Sequence, residues 1–229
     1  MGKAFRVAFP LTLPVMAGFL FLGIAYGVLM NSIGLGVGWT FLTSFLVFAG
    51  SMQYVALTLF TASFNPFYAL AVTLMVNARH IFYGLSMLDR LKGAGRFKPY
   101  VIFALCDETF SILCSTDIPE NVDRGFFMFF VAFLNRWYWI IGSVCGAFIG
   151  NLVTFNTQGL DFALTALFVV IFLNQWCKPA NRPSSLIGIG CSLLCLITFG
   201  AEHFVIPAMA LMLGVFALFS KKLSKERAK

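Results

Sequence analysis

Asn77, Arg79 and His80 stand in the middle of an apolar run, residues 66–88, and the next run, 99–116, carries Asp107 and Glu108 at its centre. An ionisable group at bilayer depth costs about 3 to more than 10 kcal/mol, so a chain keeps one only where it faces protein, water or a substrate. Together these residues offer a cation, an imidazole and two carboxylates. That set could hold a zwitterion or pass a proton, because imidazole exchanges protons near neutral pH and two acids facing one arginine leave a carboxylate over.

Helical spacing brings them together. At about 100° per residue, Asn77, His80 and Gly84 share one face, and Arg79, Tyr83 and Ser86 a neighbouring one. Asp107, Glu108, Ser111 and Ser115 fall within an arc of about 100° on the following helix. Two facing helices would set Arg79 and His80 against Asp107 and Glu108. One outcome is a structural ion pair with a hydrogen-bonded histidine. The other is a substrate site at Arg79 and Asn77, with His80, Asp107 and Glu108 coupling to protons.

Other polar residues lie in apolar surroundings. Asn135 and Arg136 sit at mid-depth of 125–150, and their neighbours Leu134 and Trp137 argue for burial in a structural role. Gly142, Gly146 and Gly150 share the face of Asn135 and Trp139. They read as a close helix–helix contact, as do Gly18, Gly23 and Gly27 on the first segment. Pro10, Pro14 and Pro207 are expected at helix starts or kinks. Asp161 opens the segment 159–177, either as a favourable helix N-terminal acid or as a substrate contact. Asn174-Gln175-Trp176, at its end, reads as an interface anchor.

The elements that carry these groups must be membrane helices. Of 229 residues, 60% are hydrophobic and 11% charged, the mean hydropathy is +0.89, and a soluble domain carries about 25% charge. The net charge of +7 resembles a nucleic-acid signal, but the Lys and Arg residues cluster at segment ends, as in cytoplasmic loops. No nucleic-acid partner is expected. The six cysteines, without a CxxC pair, read as packing residues rather than metal ligands or disulfides. The first segment lacks a small-residue cleavage pattern and is expected to remain as a helix. No cofactor is implied. HExxH, GxSxG and GxxxxGK[ST] patterns are absent, and Ser51 with His80 is too sparse a set for an intramembrane hydrolase, so no enzyme is predicted.

The predicted fold is an all-α polytopic membrane protein of about six to eight segments. Eight candidates run over 8–30, 40–62, 66–88, 99–116, 125–150, 159–177, 184–200 and 203–220. They form a single transporter domain, 1–229, with a basic tail at 221–229. Basic residues place both termini, the 90–98 loop and Lys178/Arg182 in the cytoplasm, and the acidic 116–123 loop outside. Eight full crossings break this rule twice. A non-crossing segment in each half, 40–62 and 159–177, restores it. The first is interrupted at Phe48-Ala49-Gly50-Ser51-Met52-Gln53, and Ser51–Phe60 faintly matches Gly159–Phe168. Two halves, 1–98 and 99–220, each with a broken or re-entrant helix, would follow, a plan that places backbone groups at a midplane site. Eight ordinary spans remain the alternative. In the broken plan, Gly50, Ser51 and Gln53 join Asn77, Arg79 and Asp161 as substrate residues, with an anion at the exposed N–H groups.

Several strings together carry a resemblance. Gly23-Ile-Ala-Tyr-Gly27, Phe48-Ala-Gly-Ser-Met-Gln-Tyr54, Val76-Asn-Ala-Arg-His-Ile-Phe-Tyr-Gly84, Asp107-Glu-Thr-Phe110 and Gly159-Leu-Asp-Phe-Ala163, in this order, resemble the AzlC-type azaleucine-resistance family. The likeness runs from about residue 9 to residue 219, and Asn135-Arg-Trp-Tyr-Trp139 looks family-like too. The resemblance implies export of leucine, isoleucine, valine and analogues across the bacterial inner membrane. It also implies a small hydrophobic AzlD-type partner subunit. A passive channel or ion-conducting subunit is the competing expectation, and a non-transporting scaffold for the partner a third.

Overall fold

The computed structural model describes residues 1–61, 65–77, 79–152 and 182–200. It also describes residues 162, 169, 172, 173, 176, 177, 179, 204, 207, 208, 210–212, 214 and 215. Every regular element among these residues is helical, and the chain groups into two compact units, Met1–Ala163 and Leu164–Lys229.

The first unit is built on two long helices, α1 (Gly2–Ser32) and α8 (Arg124–Leu152). Both are long and apolar enough to cross a membrane. Pro10 and Pro14 lie inside α1 rather than starting it. A membrane helix tolerates the lost N–H groups because neighbouring helices and local adjustment satisfy the freed carbonyls. The backbones of α1 and α8 touch. A Cβ on Gly23 would lie 2.9 Å from the Ser143 nitrogen, and one on Gly142 would lie 2.9 Å from the Leu20 carbonyl oxygen. Gly27 and Gly146 are tighter still. Apolar side chains gain little from meeting each other in lipid, so close approach and dispersion hold this pair. Gly18 departs from the expected stripe, since a Cβ there would meet nothing within 4 Å.

Between these helices run α2 (Val37–Leu46), α3 (Gly50–Thr61), α4 (Pro66–Asn77), α5 (Arg79–Leu91), a 3-10 turn (Lys92–Phe97), α6 (Lys98–Phe103) and α7 (Asp107–Ser115). The Asn65 side chain accepts the N–H groups of Phe67 and Tyr68 at 3.1 Å and so starts α4. Gly95 takes φ +53 in the 3-10 turn, a value suited to glycine. Arg90 donates to the Leu113 carbonyl at 2.6 Å, placing a cation at the carbonyl end of α7. Asp123 accepts the Phe126 N–H at 2.9 Å and caps α8.

Two of the expected segments are broken. Segment 40–62 divides into α2 and α3 around residues 47–49, as the small polar interruption predicts. Segment 99–116 divides into α6 and α7 around 104–106, which its apolar sequence does not announce. Asp107 and Glu108 therefore open a half-helix instead of occupying the centre of a continuous one. The physical reason is the macrodipole, since a helix start favours acids. The halves of 10 and 12 residues in the first pair are each shorter than the roughly 20 residues a span needs. The second interruption expected from sequence, in 159–177, lies outside the described residues but for isolated positions.

In the second unit, α9 (Arg182–Phe199) is the third helix long and apolar enough to cross. It ends at Gly200, with φ +74. Its Leu193, Leu194 and Ile197 are exposed, as are Phe21, Trp39 and Phe67 in the first unit. So much exposed apolar surface suits lipid rather than water.

Candidate functional site

Both breaks rest on α8. At the first, Phe48 adopts φ +41, outside the regions a bulky residue prefers, and its side chain is buried. Such strain persists only where the surroundings over-determine it. The surroundings here are the Trp139 indole and a buried glutamine. Trp139 Nε1 donates to Gln53 Oε1 at 3.0 Å, and Gln53 Nε2 donates to Ser44 Oγ at 3.2 Å. Gln53 thus joins α2, α3 and α8 across the break. Gly50 opens α3 directly against the Trp139 ring, and a Cβ there would come within 3.2 Å of it.

Tyrosines complete this floor. Tyr26 stacks on Trp139 with centroids 6.0 Å apart, and its hydroxyl pairs with Thr43 Oγ1 at 3.0 Å. The Tyr54 hydroxyl donates to the Leu22 carbonyl at 2.6 Å. Beside the break lies an apolar cavity of about 470 Å³, lined by Met30, Leu35, Trp39, Leu42, Val47 and Phe60 among others.

At the second break, Cys106 is extended and precedes α7, whose first turn carries Asp107 and Glu108, both half-buried. Asn135 Nδ2 donates to Thr109 Oγ1 at 3.0 Å, tying that first turn to α8. Asn135 and Trp139 are four residues apart, one turn along one face. The starts of α3 and α7 are therefore held by successive turns of the same helix face. They differ in charge, because α7 has two acids in its first turn and α3 has none.

Arg136, next to Asn135, is 8% exposed, as its apolar flanks predict. It donates to the Phe45 carbonyl at 2.5 Å, at the end of α2. The Phe45 and Phe103 rings lie 4.4 and 4.8 Å from its guanidinium carbon. A cation at a helix C-terminus and over aromatic faces is favourable on both counts.

Among the other residues expected to act, Asn77 ends α4 with a buried Oδ1 that has no hydrogen-bond partner among the described residues. His80 Nδ1 lies 3.2 Å from the Asn77 carbonyl oxygen, and its ring packs edge-on to Tyr83 at 5.7 Å. Tyr83 stacks on Phe110 of α7 at 4.7 Å, so the His80 turn and the Asp107 helix meet through aromatic rings. Arg79 opens α5, but its side chain lies outside the described residues, as does Asp161 altogether. Ser51 is buried in the first turn of α3. No group of three or more potential metal-ligating side chains occurs among the described residues.

Sequence reasoning missed Ser44, Thr109 and Trp139 as members of the site. The string Asn135 to Trp139 held the signal for Trp139. Ser44 and Thr109 are single hydroxyls in apolar runs and carry none.

The family model described as AzlC protein matches residues 14–153. A Bacillus subtilis relative described as "Branched-chain amino acid transport protein AzlC" is 53% identical over 97% of this chain and 87% of its own. An "Uncharacterized membrane protein" of Haemophilus influenzae is 39% identical over 99% and 92%. The "Inner membrane protein YgaZ" of Escherichia coli is 23% identical over 76% and 73%. No solved structure matches the chain.

Proposed function

The chain belongs to the AzlC protein family, and from that premise we propose that it exports leucine, isoleucine and valine across the bacterial inner membrane. It acts as a secondary transporter and as the large subunit of a pair with a small hydrophobic AzlD-type protein. Both termini lie in the cytoplasm. The observation that carries this reading is the pair of helix breaks on successive turns of α8, one start acidic and the other free of acids.

A zwitterionic amino acid needs an anion site, a cation site and an apolar pocket. The start of α3 at Gly50 and Ser51 suits a carboxylate, because a helix N-terminus carries the positive end of the dipole. Gln53 shapes that start. Arg79 and Asn77 flank the substrate from the α4–α5 side. Asp107 and Glu108 receive the ammonium or a proton, His80 relays the proton, and Asp161 is a further acidic contact. The cavity beside Val47 supplies apolar room for the branched side chain.

The test is efflux of radiolabelled leucine from loaded vesicles holding this chain, with and without the small subunit, across an imposed pH gradient. Export that follows the gradient and needs the partner is expected. Ion flux indifferent to amino acids would mark a channel instead.

A further inference from the structure

Arg136 is a buried cation that the substrate reading leaves idle. Its Nε is buried without a hydrogen-bond partner among the described residues. Among the described residues, no ion pair joins it to a carboxylate. The Phe45 carbonyl and the rings of Phe45 and Phe103 balance part of the charge and leave that N–H unused. Tyr100, whose ring lies 5.6 Å from the guanidinium carbon, has a buried hydroxyl that is likewise unpartnered. Unmade hydrogen bonds at buried donors are costly, most of all on a charged group. Two donors left open around one cation call for an anion.

The position says which one. Phe45, held by Arg136, lies just before the 47–49 break, and Gly50, covered by Trp139, lies just after it. Arg136 and Trp139 are three residues apart on α8, so they bracket the break from one side. The N–H groups that open α3 look for negative charge at the same break.

We propose that Arg136 completes a carboxylate-binding site at the 47–49 break, with its Nε–H and the Tyr100 hydroxyl as donors. This inference rests on the amino-acid transport reading and gives the carboxylate a cationic anchor. The guanidinium therefore both holds the end of α2 and senses whether a carboxylate is present.

The experiment is thermal unfolding of the purified full chain in detergent, titrated with leucine, with isocaproate (carboxylate but no amine) or with isopentylamine (amine but no carboxylate). Leucine and isocaproate are expected to raise the melting temperature of the wild type. Arg136→Gln should weaken both by about tenfold or more, and Tyr100→Phe, which keeps the ring and the packing, by a smaller factor. Arg136→Lys keeps the charge but not the Nε–H and should resemble Arg136→Gln. Equal shifts by isocaproate in wild type and folded variants would overturn the inference while leaving leucine binding intact. A response to isopentylamine alone would also overturn it. Arg136-dependent binding of isocaproate without binding of leucine would keep the site and remove the amino-acid reading. If Arg136→Gln fails to fold, Tyr100→Phe decides, since an unchanged isocaproate affinity there contradicts the proposal.

Discussion

Trp139 donates its indole N–H to the side-chain oxygen of Gln53 at 3.0 Å, and this bond fixes α8 to the start of α3. An indole nitrogen can only donate, so it sets the orientation of the glutamine amide. The amide nitrogen is then turned to Ser44 on the other side of the break. One side chain thus spans the interruption and pairs with a buried hydroxyl and a buried indole N–H.

Trp139→Phe keeps a ring over Gly50 but strands the Gln53 oxygen in a buried site. A loss of about 1–3 kcal/mol is expected. Gln53→Leu should cost a similar amount alone and little more in the double variant. Unfolding of the four proteins in a double-mutant cycle measures the coupling.

Gly27→Ala places a methyl group against the Ser143 and Ala147 backbone, whereas Gly18→Ala meets nothing. Overpacking typically costs about 1–3 kcal/mol, and rigid backbone leaves little room to relax. Folded yield and melting temperature should fall for Gly27→Ala and stay at the wild-type level for Gly18→Ala. Equal behaviour would contradict the close α1–α8 contact as the basis of the fold.

The first broken segment is expected not to cross the membrane. A cysteine introduced at Asn65 in a background without the six native cysteines should then react with an impermeant thiol reagent added outside. Labelling from the cytoplasm alone would rule that topology out.

Asp107→Asn with Glu108→Gln removes both acids from the first turn of α7. Leucine efflux should lose its dependence on the pH gradient. Efflux that still follows the gradient would remove the proton role from these two residues.

Much of this arrangement is legible in the residues. The interruption at 48–53 shows because glycine, serine and glutamine break an apolar run. Burial of Arg136 shows in its apolar neighbours, and the close α1–α8 packing shows in glycines spaced by four. Gly18 stands five residues before Gly23, about 140° round the helix from it, and a Cβ there meets nothing. The break at 104–106 is invisible, since Ala104, Leu105 and Cys106 are as apolar as any helix interior. Only the acid pair after it hints at a helix start. The sequence places Gln53 among the substrate residues; in the structure its amide bonds Trp139 and Ser44, and the pairing with Trp139 across 86 residues is one that no local pattern encodes.

Counterflow probes the proposed branched-chain amino-acid site, where two half-helices start on α8. Vesicles containing this chain and its small partner, preloaded with unlabelled leucine, isoleucine or valine, should accumulate external labelled leucine transiently. Preloading with lysine or aspartate should not support it. Absence of counterflow with every branched-chain amino acid, in vesicles shown to hold folded protein, would contradict the account.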